Sequence, residues 1–163
     1  MKEVIITIEE SDIKARIFTE SGYAALARAK AGVPAEYSDM LQATEDEQHM
    51  IKAFIAESVN EAAGIISRYM TPCSASSGDS ALIYITFKLP YNTPEGIENG
   101  LKEVIKSFVV SRSMQHWAQT VKPDEMSLHS AKAQNCAVQI REMLCRRTRP
   151  AKQDDTKDNI VEL

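Results

Sequence analysis

The side chains that could do chemistry in this chain are a few histidines, cysteines and glutamates. His49, His116 and His129 are the three histidines. A metal centre draws on His, Cys, Asp or Glu at a recognised ligand spacing, and none of the three has such a partner nearby in sequence. They are expected as surface or half-buried side chains, with His116 beside Trp117 as packing. Glu57 and Glu61 stand one helical turn apart, while Glu98, Glu103 and Glu142 fall on other helices. A carboxylate-bridged di-metal bundle would pair such glutamates with a Glu-x-x-His motif, which the chain lacks. Glu57 and Glu61 therefore read as the solvated face of an amphipathic helix. No metal and no cofactor is expected.

A nucleophile and its base do not emerge either. Ser74, Ser76, Ser77 and Ser80 lie in a small polar stretch without the glycine frame of a nucleophile elbow. Gly22 and Gly78 stand alone, so no glycine loop is set to cradle a phosphate. Cys73, Cys136 and Cys145 make an odd, widely spaced set, the usage of a reduced intracellular chain. Cys136 and Cys145 serve as small apolar residues on a helix. The expectation is a protein that is not an enzyme and has no catalytic residue.

One charged feature rises above the background: Arg141, Arg146, Arg147, Arg149 and Lys152. At a helix C-terminus such cations complement the helix dipole, at ~0.3–1 kcal/mol per favourable side chain. They could alternatively dock an acidic protein face or a nucleic-acid backbone. The dipole reading is preferred, and a protein face ranks above nucleic acid because Asp154, Asp155 and Asp158 follow directly.

These residues need elements to hold them. Lys2–Ile8 has the composition of a short strand or extended arm. Ser11-Asp12 offers an N-cap for a helix through Ile13, Ile17 and Phe18, weakened at Ser21-Gly22 and stopped by Gly32-Val33-Pro34. Residues 35–42 allow another short helical turn. Thr44 and Glu47 have the spacing of a capping box, and Ile51, Phe54, Ile55, Val59, Ala62, Ala63, Ile66 and Tyr69 then recur at helical intervals. That spacing predicts a long amphipathic helix from Thr44 to about Met70. Cys73–Ser80 reads as a flexible loop. Ile83, Ile85, Phe87 and Leu89 alternate with Tyr84, Thr86 and Lys88, the signature of a half-buried strand. Such a strand needs a partner, either Lys2–Ile8 or a strand of a neighbouring subunit.

From about Thr93 to Arg147 the chain reads as a helical hairpin, the centre of the fold. Thr93 would cap and Pro94 open its first helix, whose broad stripe is Ile97, Leu101, Val104, Ile105, Phe108, Val110, Met114, Trp117 and Val121. It turns at Val121-Lys122-Pro123-Asp124. The returning arm has a narrower stripe of Met126, Ala133, Ala137, Ile140 and Leu144, where alanine lets a neighbouring helix approach. The fold expected is mainly α: a helical bundle on a long central helix and a C-terminal hairpin, with a small two-strand β element. Residues 1–150 form one helical domain, and residues 151–163 a disordered tail.

The bulk properties agree. A chain of 163 residues, 44% apolar and 26% charged, suits one globular domain. Its net charge of −4 argues against general attraction to nucleic acid or an anionic membrane. No stretch approaches the ~18 apolar residues of a membrane span, and the first ten residues lack the form of a secretory signal.

The stretch with Asp46-Glu47, Ile51, Phe54-Ile55, Ala62, Ile66 and Tyr69 resembles the second-helix region of phage head–tail connector (head completion, or neck) proteins. The Ile97–Trp117 helix is similar to that family's penultimate helix. The ending Ile140–Pro150, rich in arginine and closed by proline, resembles the close of many small phage neck proteins. The resemblance covers about half of the chain. The first forty or so residues are longer than a typical connector start, and Cys73–Leu89 is more elaborate. The resemblance implies a structural protein of a phage or prophage particle, cytoplasmic during assembly and then in the virion. It would assemble as a homo-oligomeric ring at the portal and meet portal and tail proteins. Tyr84, Thr86 and Lys88 on the strand, with Arg141, Arg146, Arg147 and Arg149, would lie at protein interfaces. The rival expectation is a small bacterial binding or regulatory module that uses the basic close.

Overall fold

The computed structural model describes residues 1–32, 43, 47–70, 73–77 and 81–148. Among them the chain is mainly helical with a small antiparallel sheet. Its elements are β1 (Lys2–Glu9), α1 (Glu10–Lys30), α2 (Gln48–Ser67), β2 (Cys73–Ser77), β3 (Leu82–Leu89), α3 (Ile97–Val121) and α4 (Pro123–Cys145). The expected second short turn at residues 35–42, the Thr44 cap and the tail beyond Thr148 lie outside the described residues.

The sheet has three strands in the order β1-β3-β2, all antiparallel. The expected pairing of Lys2–Ile8 with the alternating strand forms within the chain, with Lys2 opposite Leu89 and Glu9 opposite Leu82. The expected flexible loop is corrected in part. Cys73–Ser77 is a strand that pairs from Cys73 opposite Phe87 to Ser77 opposite Ile83. Its small residues have little strand preference of their own, but β3 leaves one edge open and the open backbone groups recruit it. The β element thus has three strands rather than two.

Alternation decides the sheet's two faces. Val4, Ile6 and Ile8 of β1 and Ile83, Ile85, Phe87 and Leu89 of β3 are buried on one face, against the helices. Across this face Val4 opposes Phe87 and Ile6 opposes Ile85. The other face carries Glu3, Ile5, Thr7 and Glu9, then Tyr84, Thr86 and Lys88, then Ser74 and Ser76, all exposed or half-buried.

The hairpin forms the largest helix–helix contact. Leu101, Ile105, Phe108, Val109, Val110, Met114, Trp117 and Ala118 of α3 are buried, as are Ala133, Ile140 and Leu144 of α4. Only Lys122 separates the two helices. Helix α2 crosses α3 and contributes Ile51, Ile55, Val59, Ala62 and Ile66 to the same core. Where α2 and α3 meet, the buried hydroxyls of Ser58 and Ser113 lie 3.2 Å apart in a hydrogen bond. That contact marks the register in which the apolar faces of the two helices pack.

Two expected helix starts fall elsewhere. Helix α1 begins at Glu10, directly out of β1, where the Glu10 amide donates to Ala81 O at 2.9 Å. It runs through Ser21-Gly22 unbroken, and the Ser21 hydroxyl donates to Phe18 O and accepts from the Ala43 amide. Helix α2 starts at Gln48, and Glu47 at its N-cap makes no side-chain capping bond. Thr93 does not cap α3, since its hydroxyl donates back to Pro90 O at 2.7 Å. Gly96 takes the N-cap position with φ of 77°, a left-handed conformation that glycine adopts without the penalty of a Cβ. No helix among the described residues is long and apolar enough to cross a membrane.

Candidate functional site

The register marked by the Ser58–Ser113 contact brings certain polar residues together. Each serine follows directly on one member of a charged pair, Glu57 on α2 and Arg112 on α3. One turn further along lie Glu61 and His116. Two i, i+4 pairs, one acidic and one basic, therefore face each other at the rim of the core.

Arg112 grips Glu61 with two bonds, Nε to Oε2 at 2.7 Å and a terminal nitrogen to Oε1 at 3.0 Å. This fork fixes the plane of the carboxylate. Arg112 is steadied in turn by Gln115 Oε1, which accepts from it at 2.7 Å. His116 stacks on Phe54 with ring centroids 5.5 Å apart and planes 20° from parallel. Its Nε2 is sealed from solvent and has no hydrogen-bond partner. The nearest carboxylate oxygen, Glu61 Oε1, stands 4.0 Å away, too far for a hydrogen bond. Glu57, exposed, brings a third donor, and one ligand atom each from Glu57, Glu61 and His116 lie within 4.8 Å of one another.

Sequence reasoning placed Glu57 and Glu61 on a solvated face and His116 in packing. Glu57 is indeed exposed, but Glu61 and His116 are half-buried and face each other. Arg112 went unremarked. The signal available was the matching i, i+4 spacing on two helices, Glu57/Glu61 and Arg112/His116. It acquires meaning only once the register of α2 on α3 is known. His49 is exposed and His129 is buried on α4, both away from this cluster.

His129 has its own setting. Its Nδ1 is buried without a partner, in a shallow groove with Glu20, Tyr23, Leu128 and Lys132. Burial, and then the Lys132 ammonium, hold its pKa below the ordinary value.

The expected interface residues divide in two. Tyr84, Thr86 and Lys88 lie on β3, the central strand; Tyr84 and Thr86 are paired on both sides, and Lys88 is paired with Glu3 of β1. The backbone of Tyr84 and Thr86 is not free to join a neighbouring subunit, but the side chains of all three lie on the sheet's outer face. There Lys88 opposes Glu3, and Thr86 sits between Ile5 and Ser74. Ile5 is 60% exposed. At the end of α4, Arg141, Arg146 and Arg147 are exposed, and Arg149 lies outside the described residues. Arg147 turns back on the end of α4 and donates to Leu144 O at 2.6 Å and Arg146 O at 2.8 Å. This is the work of a helix-terminal cation. Thr148 anchors the same end by donating to Asn92 O through its amide and its hydroxyl.

Fold and site together define a helix-rich α+β chain, with a one-sided antiparallel sheet at one place and a carboxylate–imidazole–guanidinium cluster at another. No family model, curated protein or solved structure matches the chain.

Proposed function

We propose that the chain is a non-enzymatic structural subunit of a phage or prophage particle, similar to head–tail connectors, that assembles into a homo-oligomeric ring. The observation that carries this reading is the sheet, whose outer face is exposed or half-buried along all three strands. Its two outer strands, β1 and β2, lie at opposite edges, and each has β3 as its strand neighbour among the described residues. An open edge is a template for pairing with another chain. One copy's β1 edge against the next copy's β2 edge would be a heterologous contact, the kind that closes into a ring. The outer face beside those edges is short of charge at its centre, with Ile5, Thr7, Tyr84, Thr86, Ser74 and Ser76 between the Glu3–Lys88 pair and Glu9.

Sedimentation velocity of the full chain over a range of concentrations tests the reading. Closed oligomers that grow in proportion with concentration are expected. Ile5→Lys, at an exposed position, should abolish them while leaving the helical circular-dichroism signal intact. A strict monomer at high concentration, with no binding to a portal protein, refutes it. The rival, a monomeric binding module acting through the exposed Arg141 and Arg146, predicts a partner lost when both become alanine.

A further inference from the structure

We propose that Glu57, Glu61 and His116 form a binding site for one divalent transition-metal ion, with Zn²⁺ the first choice. The inference is independent of ring assembly and stands on the junction of α2 and α3.

The imidazole supplies the first reason. His116 Nε2 is buried, has no hydrogen-bond partner, and faces Glu61 Oε1 across 4.0 Å. That gap is too wide for a hydrogen bond, yet it is about the sum of a zinc–nitrogen bond (~2.0–2.1 Å) and a zinc–oxygen bond (~2.0–2.2 Å). A tetrahedral ion would draw the two atoms together by roughly half an ångström, within reach of a glutamate rotamer change. The stack on Phe54 holds the ring so that Nε2 keeps its aim.

Support around the ligands supplies the second. Metal-binding carboxylates are themselves hydrogen-bonded in working sites, and this orients their free lone pairs. Arg112 does this for Glu61, and Gln115 steadies Arg112. Each Glu61 oxygen keeps a second lone pair for an ion. The charges favour a cation, since two carboxylates and one guanidinium sum to −2 + 1 = −1 with a neutral imidazole.

The third reason is the donor set. Glu57 is exposed and close enough to complete a group whose ligand atoms lie within 4.8 Å. Its free side chain can swing inward to shorten the longest spacing. One imidazole nitrogen with two carboxylate oxygens suits zinc and its first-row neighbours, whereas magnesium and calcium favour all-oxygen sites. Three protein ligands leave a fourth position for water.

Calorimetric titration of the metal-stripped full chain with Zn²⁺ alone tests the site. One equivalent should bind in the micromolar range or tighter. Glu57→Gln and His116→Ala should each weaken binding about tenfold or more, while His49→Ala, at an exposed histidine, should leave it unchanged. Co²⁺ should give visible ligand-field absorption without a thiolate charge-transfer band, and His116→Ala should remove it. Should His116→Ala fail to fold, Glu57→Gln carries the test, because Glu57 is exposed. Absence of Zn²⁺ binding, equal binding by Glu57→Gln, or a thiolate band would overturn the proposal.

Discussion

Lys122 at the tip of the hairpin offers a test in which two substitutions at one ion pair act differently. It is the single residue between α3 and α4. Its side chain is 1% exposed, and its ammonium lies 3.4 Å from Glu125 Oε1, on a side chain 20% exposed. Its backbone is committed too, with its amide donating to Ala118 O and its carbonyl accepting from the Glu125 amide. A buried ammonium has given up its water, and the Glu125 charge offsets part of that loss. Glu125→Gln removes the charge and keeps the shape. Breaking a fully buried pair costs ~3–5 kcal/mol, and the partial exposure of Glu125 lowers the expectation here to ~2 kcal/mol. Lys122→Met removes the ammonium and fills the same space, and the charge it leaves behind is on Glu125, which still reaches solvent, so its effect should stay within about 1 kcal/mol of wild type. Urea unfolding followed by Trp117, the only tryptophan and 1% exposed, reads both variants. With a slope of ~2 kcal/mol per molar, Glu125→Gln should lower the midpoint by about 1 M. The reasoning fails if Glu125→Gln moves the midpoint by less than about a quarter of that, or if Lys122→Met costs as much.

Further perturbations reach other parts of the molecule. Gly64→Ala, where an added Cβ meets nothing within 4 Å in a helix interior, should stabilise by ~0.5–1 kcal/mol in the same urea assay. His129 titrates below its ordinary value of 6.5, chiefly through burial and then through Lys132, with Lys122 adding to them and Glu20 and Glu125 opposing. Below that ordinary value the unfolded chain takes up a proton that the native imidazole resists, so stability falls as pH drops below about 6.5, and His129→Gln should flatten the slope of stability between roughly pH 7 and 5. Burial raises the Cys73 and Cys136 thiols, whereas Cys145 is exposed, so iodoacetamide at pH 8 should alkylate Cys145 first, as peptide mass mapping would show.

What the sequence disclosed follows from how locally each feature is encoded. The stripe from Ile51 to Ile66 and the broader one from Leu101 to Trp117 repeat over many turns, so those helices and most of their buried faces were legible. The alternation from Ile83 to Leu89 likewise marked both a strand and its buried face. Features set by a single bond or by a neighbour were not. Thr93 has the right chemistry for a cap but spends its hydroxyl on Pro90, and Gly96 takes its place. Cys73–Ser77 becomes a strand because of the edge beside it rather than its own side chains. The cluster of Glu57, Glu61, Arg112 and His116 was hidden for a third reason. Each half is an unremarkable helical pair, and only the packing of α2 on α3, in the register where Ser58 meets Ser113, brings the halves together.

The pairing of β1 with β3 has a consequence for how the chain comes to be folded. Lys2 finds its partner at Leu89, so nearly ninety residues of chain must exist before the first strand can dock. The α3–α4 hairpin closes through one residue and β2 lies a few positions from β3, so both of these form from contacts close in sequence. At a synthesis rate of ~5–20 residues per second, the apolar side chains Val4, Ile6 and Ile8 wait for several seconds without their strand. Loop closure of that length slows folding as well. The first strand is thus made early and used late, and during that interval it is the segment of the nascent chain most exposed to pairing with the wrong one.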